Sequence, residues 1–132
     1  MDDQLERLAS IAIDTAMQIH IDVGPGLLES VYEVLLVTRL QKQNLHVDRQ
    51  VSVKAKIDDI DFPDAFRADI IIERKLLVEL KSLEKLAPIH SKQTLTYLRL
   101  MGLPLGLLIN FGGITLKEGL KRVVNNYRQS ND

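Results

Sequence analysis

Residues 67–82 restrict the fold more than any other stretch: two runs of Ile, Leu and Val flank the polar triplet Glu73-Arg74-Lys75. That pattern predicts a β-hairpin near the middle of a sheet. Three ionisable residues, Asp69, Glu79 and Lys81, interrupt the apolar runs. A charge inside a sheet is costly unless it is paired or binds a metal, so the fold must bring these three a partner.

Strand geometry narrows where they meet. Side chains alternate faces along a strand, and residues directly opposed across a hairpin share a face. A loop of odd length, such as Glu73-Arg74-Lys75 with Ile72 opposite Leu76, sets Asp69 against Glu79 with Lys81 on the same face. Ile70, Ile72, Val78 and Leu80 then make a wholly apolar opposite face. An even loop without a bulge would separate Asp69 from Glu79. A shared site therefore requires an odd loop or a bulge, and three-residue hairpin loops are common enough to allow one.

The chain is 132 residues long, 45% hydrophobic and 27% charged, which suits one globular domain over residues 1–132 with its own core. Cysteine is absent, which excludes disulfides, thiol catalysis and cysteine-held zinc and fits a reducing compartment. The acidic, amphipathic start Met1-Asp2-Asp3-Gln4-Leu5-Glu6-Arg7 is unlike a secretory signal, and no apolar run is long enough to span a bilayer. A soluble, cytoplasmic protein without a membrane partner is expected. A net charge of -1 gives no global pull on nucleic acid, so such binding must use a local patch.

In chain order, Leu5, Leu8, Ile11, Ala12, Thr15 and Ile19 recur at helical spacing over residues 4–22, which end at the breaker Gly24-Pro25-Gly26. A second helix is predicted over 27–43, apolar on most sides and so expected to be buried against more than one neighbour. Residues 47–57 alternate as a strand with one wet face. The acid-rich 58–64 reads as a turn-rich connection. Pro88 suits the first position of a third helix that ends at Gly102, and 104–110 is a fully buried strand, parallel to the one ending at Lys81 by a right-handed crossover. Residues 116–126 favour a strand through Arg122-Val123-Val124 over a helix, and 128–132 should fray. The order is ααβββαβ with a further C-terminal strand in doubt: an α/β sandwich on a small mixed sheet.

Two carboxylates and a lysine are what metal-assisted phosphodiester hydrolysis needs. Asp69 and Glu79 offer the hard oxygen ligands that Mg2+ or Mn2+ prefers. Lys81, flanked by acids, suits positioning water or stabilising developing charge better than acting as a base. For so short a pattern alone, an ion pair on a half-exposed sheet face is the stronger reading.

The wider pattern changes that balance. Asp69 followed on the next strand by Glu79-Leu80-Lys81, with a helix before and a helix and buried strand after, resembles the core of the PD-(D/E)XK nuclease superfamily, a three-layer sandwich. Gly26-Leu27-Leu28-Glu29-Ser30-Val31-Tyr32 resembles the motif that names the GxxExxY family of prokaryotic proteins within it. The likeness extends to His20, Gln50, Arg67-Ala68-Asp69, His90 with Gln93 and Tyr97, and Leu107-Leu108-Ile109-Asn110-Phe111-Gly112. It implies a site of Glu29, Asp69, Glu79, Lys81 and Gln93, in which Glu29 joins Asp69 and Glu79 around the metal. Glu29 in a first helical turn is also what the helix dipole favours without any site. His90 reads as a cap or surface residue, and Tyr97 as core packing with its hydroxyl satisfied. Lys54, Lys56, Arg67, Lys85, Lys92 and Arg99 are candidate phosphate contacts, each competing with a plain surface charge.

The leading expectation is a Mg2+- or Mn2+-dependent nuclease acting on DNA or RNA, its four charged residues meeting around one cation at the sheet's edge. The alternative is a noncatalytic nucleic-acid-binding or assembly module that keeps the fold. A third idea is a homo-oligomer joined through the apolar hairpin and terminal strand.

Overall fold

The computed structural model describes residues 2–126. Helix α1 (Asp3–Val23) starts at Asp2, whose carboxylate accepts from the Leu5 amide at 2.7 Å, satisfying one of the four orphan N–H groups of a helix start. Helix α2 (Glu29–Gln41) follows the Gly24-Pro25-Gly26 turn. Then come β1 (Val47–Ile57), β2 (Ile60–Ile72), β3 (Leu76–Lys81), α3 (Pro88–Met101), β4 (Leu105–Asn110), a short 3-10 turn at Lys117–Gly119 and β5 (Leu120–Val124). Pro88 opens α3, and Gly102 closes it at φ 69, a left-handed conformation that glycine adopts without strain.

The five strands form one mixed sheet in the order β1-β2-β3-β4-β5. β3 and β4 are parallel, joined by the α3 crossover, and the other neighbours are antiparallel. Ile70, Ile72, Val78 and Leu80 pack with Leu105, Leu107 and Ile109 against α1 and α2. The other face is thinner, with Ile71, Leu77 and Val123 gathered under Leu98 of α3. This is a three-layer sandwich, and the thin layer under α3 is the one that carries polar chemistry.

Two expectations need correction. Residues 60–64 are not a connection but the start of β2: only Asp58 and Asp59 turn, at φ 53 and 62, the left-handed pair of a tight hairpin. Pro63 is tolerated because β3 pairs with β2 only from Ile70 onward, leaving the other edge of β2 open there. Helix α2 buries Tyr32, Glu33, Leu36, Val37 and Leu40 against α1 and the sheet but leaves Val31 and Val34 open. The last element is a strand, as the reading of residues 116–126 favoured, and runs antiparallel to β4. The expectation for 128–132 lies outside the described residues. No described helix is long and apolar enough to cross a membrane.

Candidate active site

The β2–β3 hairpin has the odd loop: Ile72 pairs with Leu76, Ile71 with Leu77 and Ile70 with Val78. There the backbone ladder stops. One step further, the Asp69 amide donates to Glu79 Oε2 at 3.0 Å, and the Leu80 amide donates to Asp69 Oδ2 at 2.9 Å. The strands part, and each sends a carboxylate across the gap to take the other's N–H. Because β2 and β3 are interior strands, the gap opens within the sheet and not at its edge.

A pocket of about 120 Å3 lies over this gap, lined by Glu29, Arg67, Asp69, Glu79, Lys81, His90, Gln93, Thr94 and Tyr97. All five residues singled out from the sequence border it. Glu29 comes from the other side of the sheet by way of the glycine turn: the Tyr32 hydroxyl accepts from the Leu27 amide at 3.1 Å and donates to the Gly24 carbonyl at 2.7 Å. That ring stacks on Phe111 at 4.5 Å, beyond the end of β4. The Ser82 hydroxyl donates to the Leu27 carbonyl at 2.7 Å, tying the residue after Lys81 to the turn before Glu29.

From α3, Gln93 and Thr94 face the pocket one turn after His90, whose Nδ1 accepts from the Ala87 amide at 3.0 Å. His90 is thus both a helix cap and part of the lining. Tyr97 meets its expectation in part. It packs against the smaller hydrophobic cluster as expected, stacked on Phe66 at 4.1 Å, but it is only partly buried and also borders the pocket.

Electrostatics follow from this crowding of acids. Glu79 is 6% exposed, and burial, the Asp69 side chain beside it and repulsion from the Asp69 charge push its pKa up to about 9, against smaller pulls from the Asp69 amide and from Lys81. Glu29 is raised by burial and by the Asp69 charge. The Tyr97 hydroxyl is raised by burial and by the charges of Glu79 and Asp69. Three acids thus share the pocket with Lys81 and Arg67, and the raised Glu79 spares it a third negative charge near neutral pH.

A model of the PD-(D/E)XK nuclease superfamily matches residues 6–123. The chain belongs to that superfamily. No curated protein and no solved structure matches it.

The donor chemistry of this PD-(D/E)XK pocket suits a hard divalent cation, since a buried Glu79 carboxyl crowded by a partly buried Asp69 is relieved by one. Among the described residues, no three histidines or acids stand together as a ready-made metal cage. Asp69 and Glu79 each lend an oxygen to a backbone amide, and Glu29 borders the pocket without completing a trio with them.

Sequence reasoning missed two supports. Asn110 Oδ1 accepts from the Leu83 amide at 2.8 Å and from the Gly112 amide at 3.2 Å, while its Nδ2 donates to the Leu83 carbonyl at 2.9 Å. This holds the segment that leaves Lys81, and a Cβ at Gly112 would overlap the Leu83 backbone. The signal was a lone amide closing a wholly apolar strand. Glu33 is the other: 5% exposed, it sits between Tyr32 and Leu36 on the buried side of α2. An acid within an apolar helical run was visible, but its partners were not. His20, part of the motif resemblance, donates from Nε2 to the Gly113 carbonyl at 3.0 Å and borders no part of the pocket.

Proposed function

We propose that this PD-(D/E)XK domain, one unit over residues 1–132 and of the GxxExxY type, is a cytoplasmic nuclease hydrolysing phosphodiester bonds in DNA or RNA with Mg2+ or Mn2+. The observation that carries the reading is the exchange of carboxylates between β2 and β3, which brings Asp69 and Glu79 into one pocket with Lys81. Asp69 and Glu79, with Glu29 opposite, would hold the cation. When bound, the cation supplies Lewis acidity toward the phosphate and lowers the pKa of water. The Lys81 ammonium stabilises charge developing on the phosphoryl oxygens and orients the attacking water. Gln93 donates from α3 to a phosphate oxygen, and Arg67 receives the neighbouring phosphate.

The test uses purified protein with Mg2+ or Mn2+ and labelled single- and double-stranded DNA and RNA. Wild type should cut at least one substrate, with cleavage reduced about 100-fold or more in Lys81→Ala and Asp69→Asn. Cleavage surviving in both would place the activity elsewhere. Absence of cleavage alongside intact Mn2+ and oligonucleotide binding would favour the noncatalytic module.

A further inference from the structure

Neighbouring side chains in a regular strand point to opposite faces. Arg49 and Gln50, adjacent in β1, nevertheless grip one carboxylate: Arg49 Nε donates to Glu33 Oε2 at 2.7 Å, and Gln50 Nε2 donates to Glu33 Oε1 at 2.6 Å. The backbone makes this possible, because Gln50 has φ 52. The other described non-glycine residues with positive φ, Asn44, Asp58, Asp59, Glu73 and Arg74, all lie in turns, and Gln50 is the one inside a strand. A left-handed glutamine in a strand is strained and persists only where its surroundings hold it. Here the holder is Glu33, buried on α2 with both oxygens engaged.

The position of this strain gives it meaning. β1 pairs Arg49 with Ile70 and then Val51 with Ala68, which leaves Gln50 across from Asp69. On its other side, β2 stops pairing with β3 at Ile70. Asp69 therefore sits where regular pairing fails on both flanks of its strand. Glu33, meanwhile, lies one helical turn beyond Glu29, so its grip on β1 also fixes the first turns of α2.

We propose that Glu33, Arg49 and Gln50 form a clamp that sets Asp69 on the sheet relative to Glu29 on α2, making them positioning residues for the pocket. The nuclease reading supplies the purpose of that spacing, but the clamp can be examined without it. Arg49 and Gln50 are both exposed, so water screens each of the two bonds, and the buried Glu33 is the acceptor they share. Gln50 does not need to touch substrate, since the kink it adopts shapes the strand opposite Asp69.

Amide hydrogen exchange by NMR in metal-free protein, followed by calorimetric titration with Mn2+, tests this in Glu33→Gln, Gln50→Ala and Gln50→Gly. The Asp69 and Leu80 amides, which donate to the exchanged carboxylates, should exchange about tenfold faster or more in Gln50→Ala and Glu33→Gln, with β4 amides unchanged. Mn2+ binding should weaken about tenfold. Gln50→Gly, which takes the left-handed backbone freely but lacks the amide, should fall between Gln50→Ala and wild type. Should Glu33→Gln fail to fold, the two Gln50 variants decide. A mere anchor of helix to sheet would speed all amides together in step with lost stability, and that result overturns the clamp. Unchanged exchange at Asp69 and Leu80 in folded variants overturns it as well. If wild type cuts no nucleic acid, the proposed function falls while the exchange data still decide the clamp.

Discussion

Glu79 gives the site a pH signature in stability that is independent of catalysis. Its folded pKa of about 9 lies above the ordinary carboxylate value of 4.5, so between those two values the folded state binds a proton that the unfolded chain has lost. By linkage, stability is greatest below the ordinary value and falls as pH rises toward 9. Without divalent cation, the thermal midpoint should therefore drop between about pH 5 and pH 9 by more than in Glu79→Gln, whose neutral amide stands in for the protonated acid. Identical pH profiles for the two proteins would mean that Glu79 is neither buried nor crowded. The meeting of Asp69, Glu79 and Lys81 was legible because strand parity and an odd loop require it. The packing of Tyr97 was legible but its place at the pocket was not, because that depends on the stack with Phe66 of β2, a contact between elements distant in sequence. Glu33 needed knowledge of the kink at Gln50, which no local pattern announces.

At the level of elements, helices and strands were readable wherever periodicity and punctuation agreed: the glycine-proline turn, Pro88 and Gly102 all sit where they should. Residues 60–64 failed because Asp and Pro argue against a strand locally, whereas pairing along β1 overrides composition. Val31 and Val34 failed for a related reason: α1 and the sheet together cover one side of α2, and these two residues lie on the side that neither reaches. Glu29 reaches the pocket through the turn before α2, and the Tyr32 hydroxyl is what fastens that turn. Tyr32→Phe keeps the stack on Phe111 but leaves the Gly24 carbonyl and Leu27 amide without this partner, at a cost of about 1–3 kcal/mol. Urea unfolding should show that loss. Mn2+ affinity should fall further than in Leu40→Val, a control on the same helix that leaves the turn intact. Equal metal affinities in the two variants would separate the turn from the site.

For the molecule as a whole, the charge distribution decides how a polyanion can approach. The chain carries a net charge of -1, and its candidate pocket sets Glu29, Asp69 and Glu79 against Lys81 and Arg67. Affinity for nucleic acid ordinarily grows with the number of phosphates that lysines and arginines neutralise. Two cations at the pocket neutralise few, and the acids beside them repel the backbone. Binding should therefore depend on a divalent cation to offset the carboxylates. In fluorescence anisotropy with a cleavage-resistant phosphorothioate oligonucleotide, affinity should be measurable in Mg2+ and lost in EDTA. The logarithmic salt slope should be no steeper than about -2, because only about two phosphate contacts release counterions. Arg67→Ala should flatten that slope by about one further unit while lowering affinity evenly across sequences. Tight binding in EDTA with a much steeper slope would reveal a basic surface remote from Asp69 and Glu79, and the path of the strand would then have to be traced over Lys54, Lys56 and Lys92 instead.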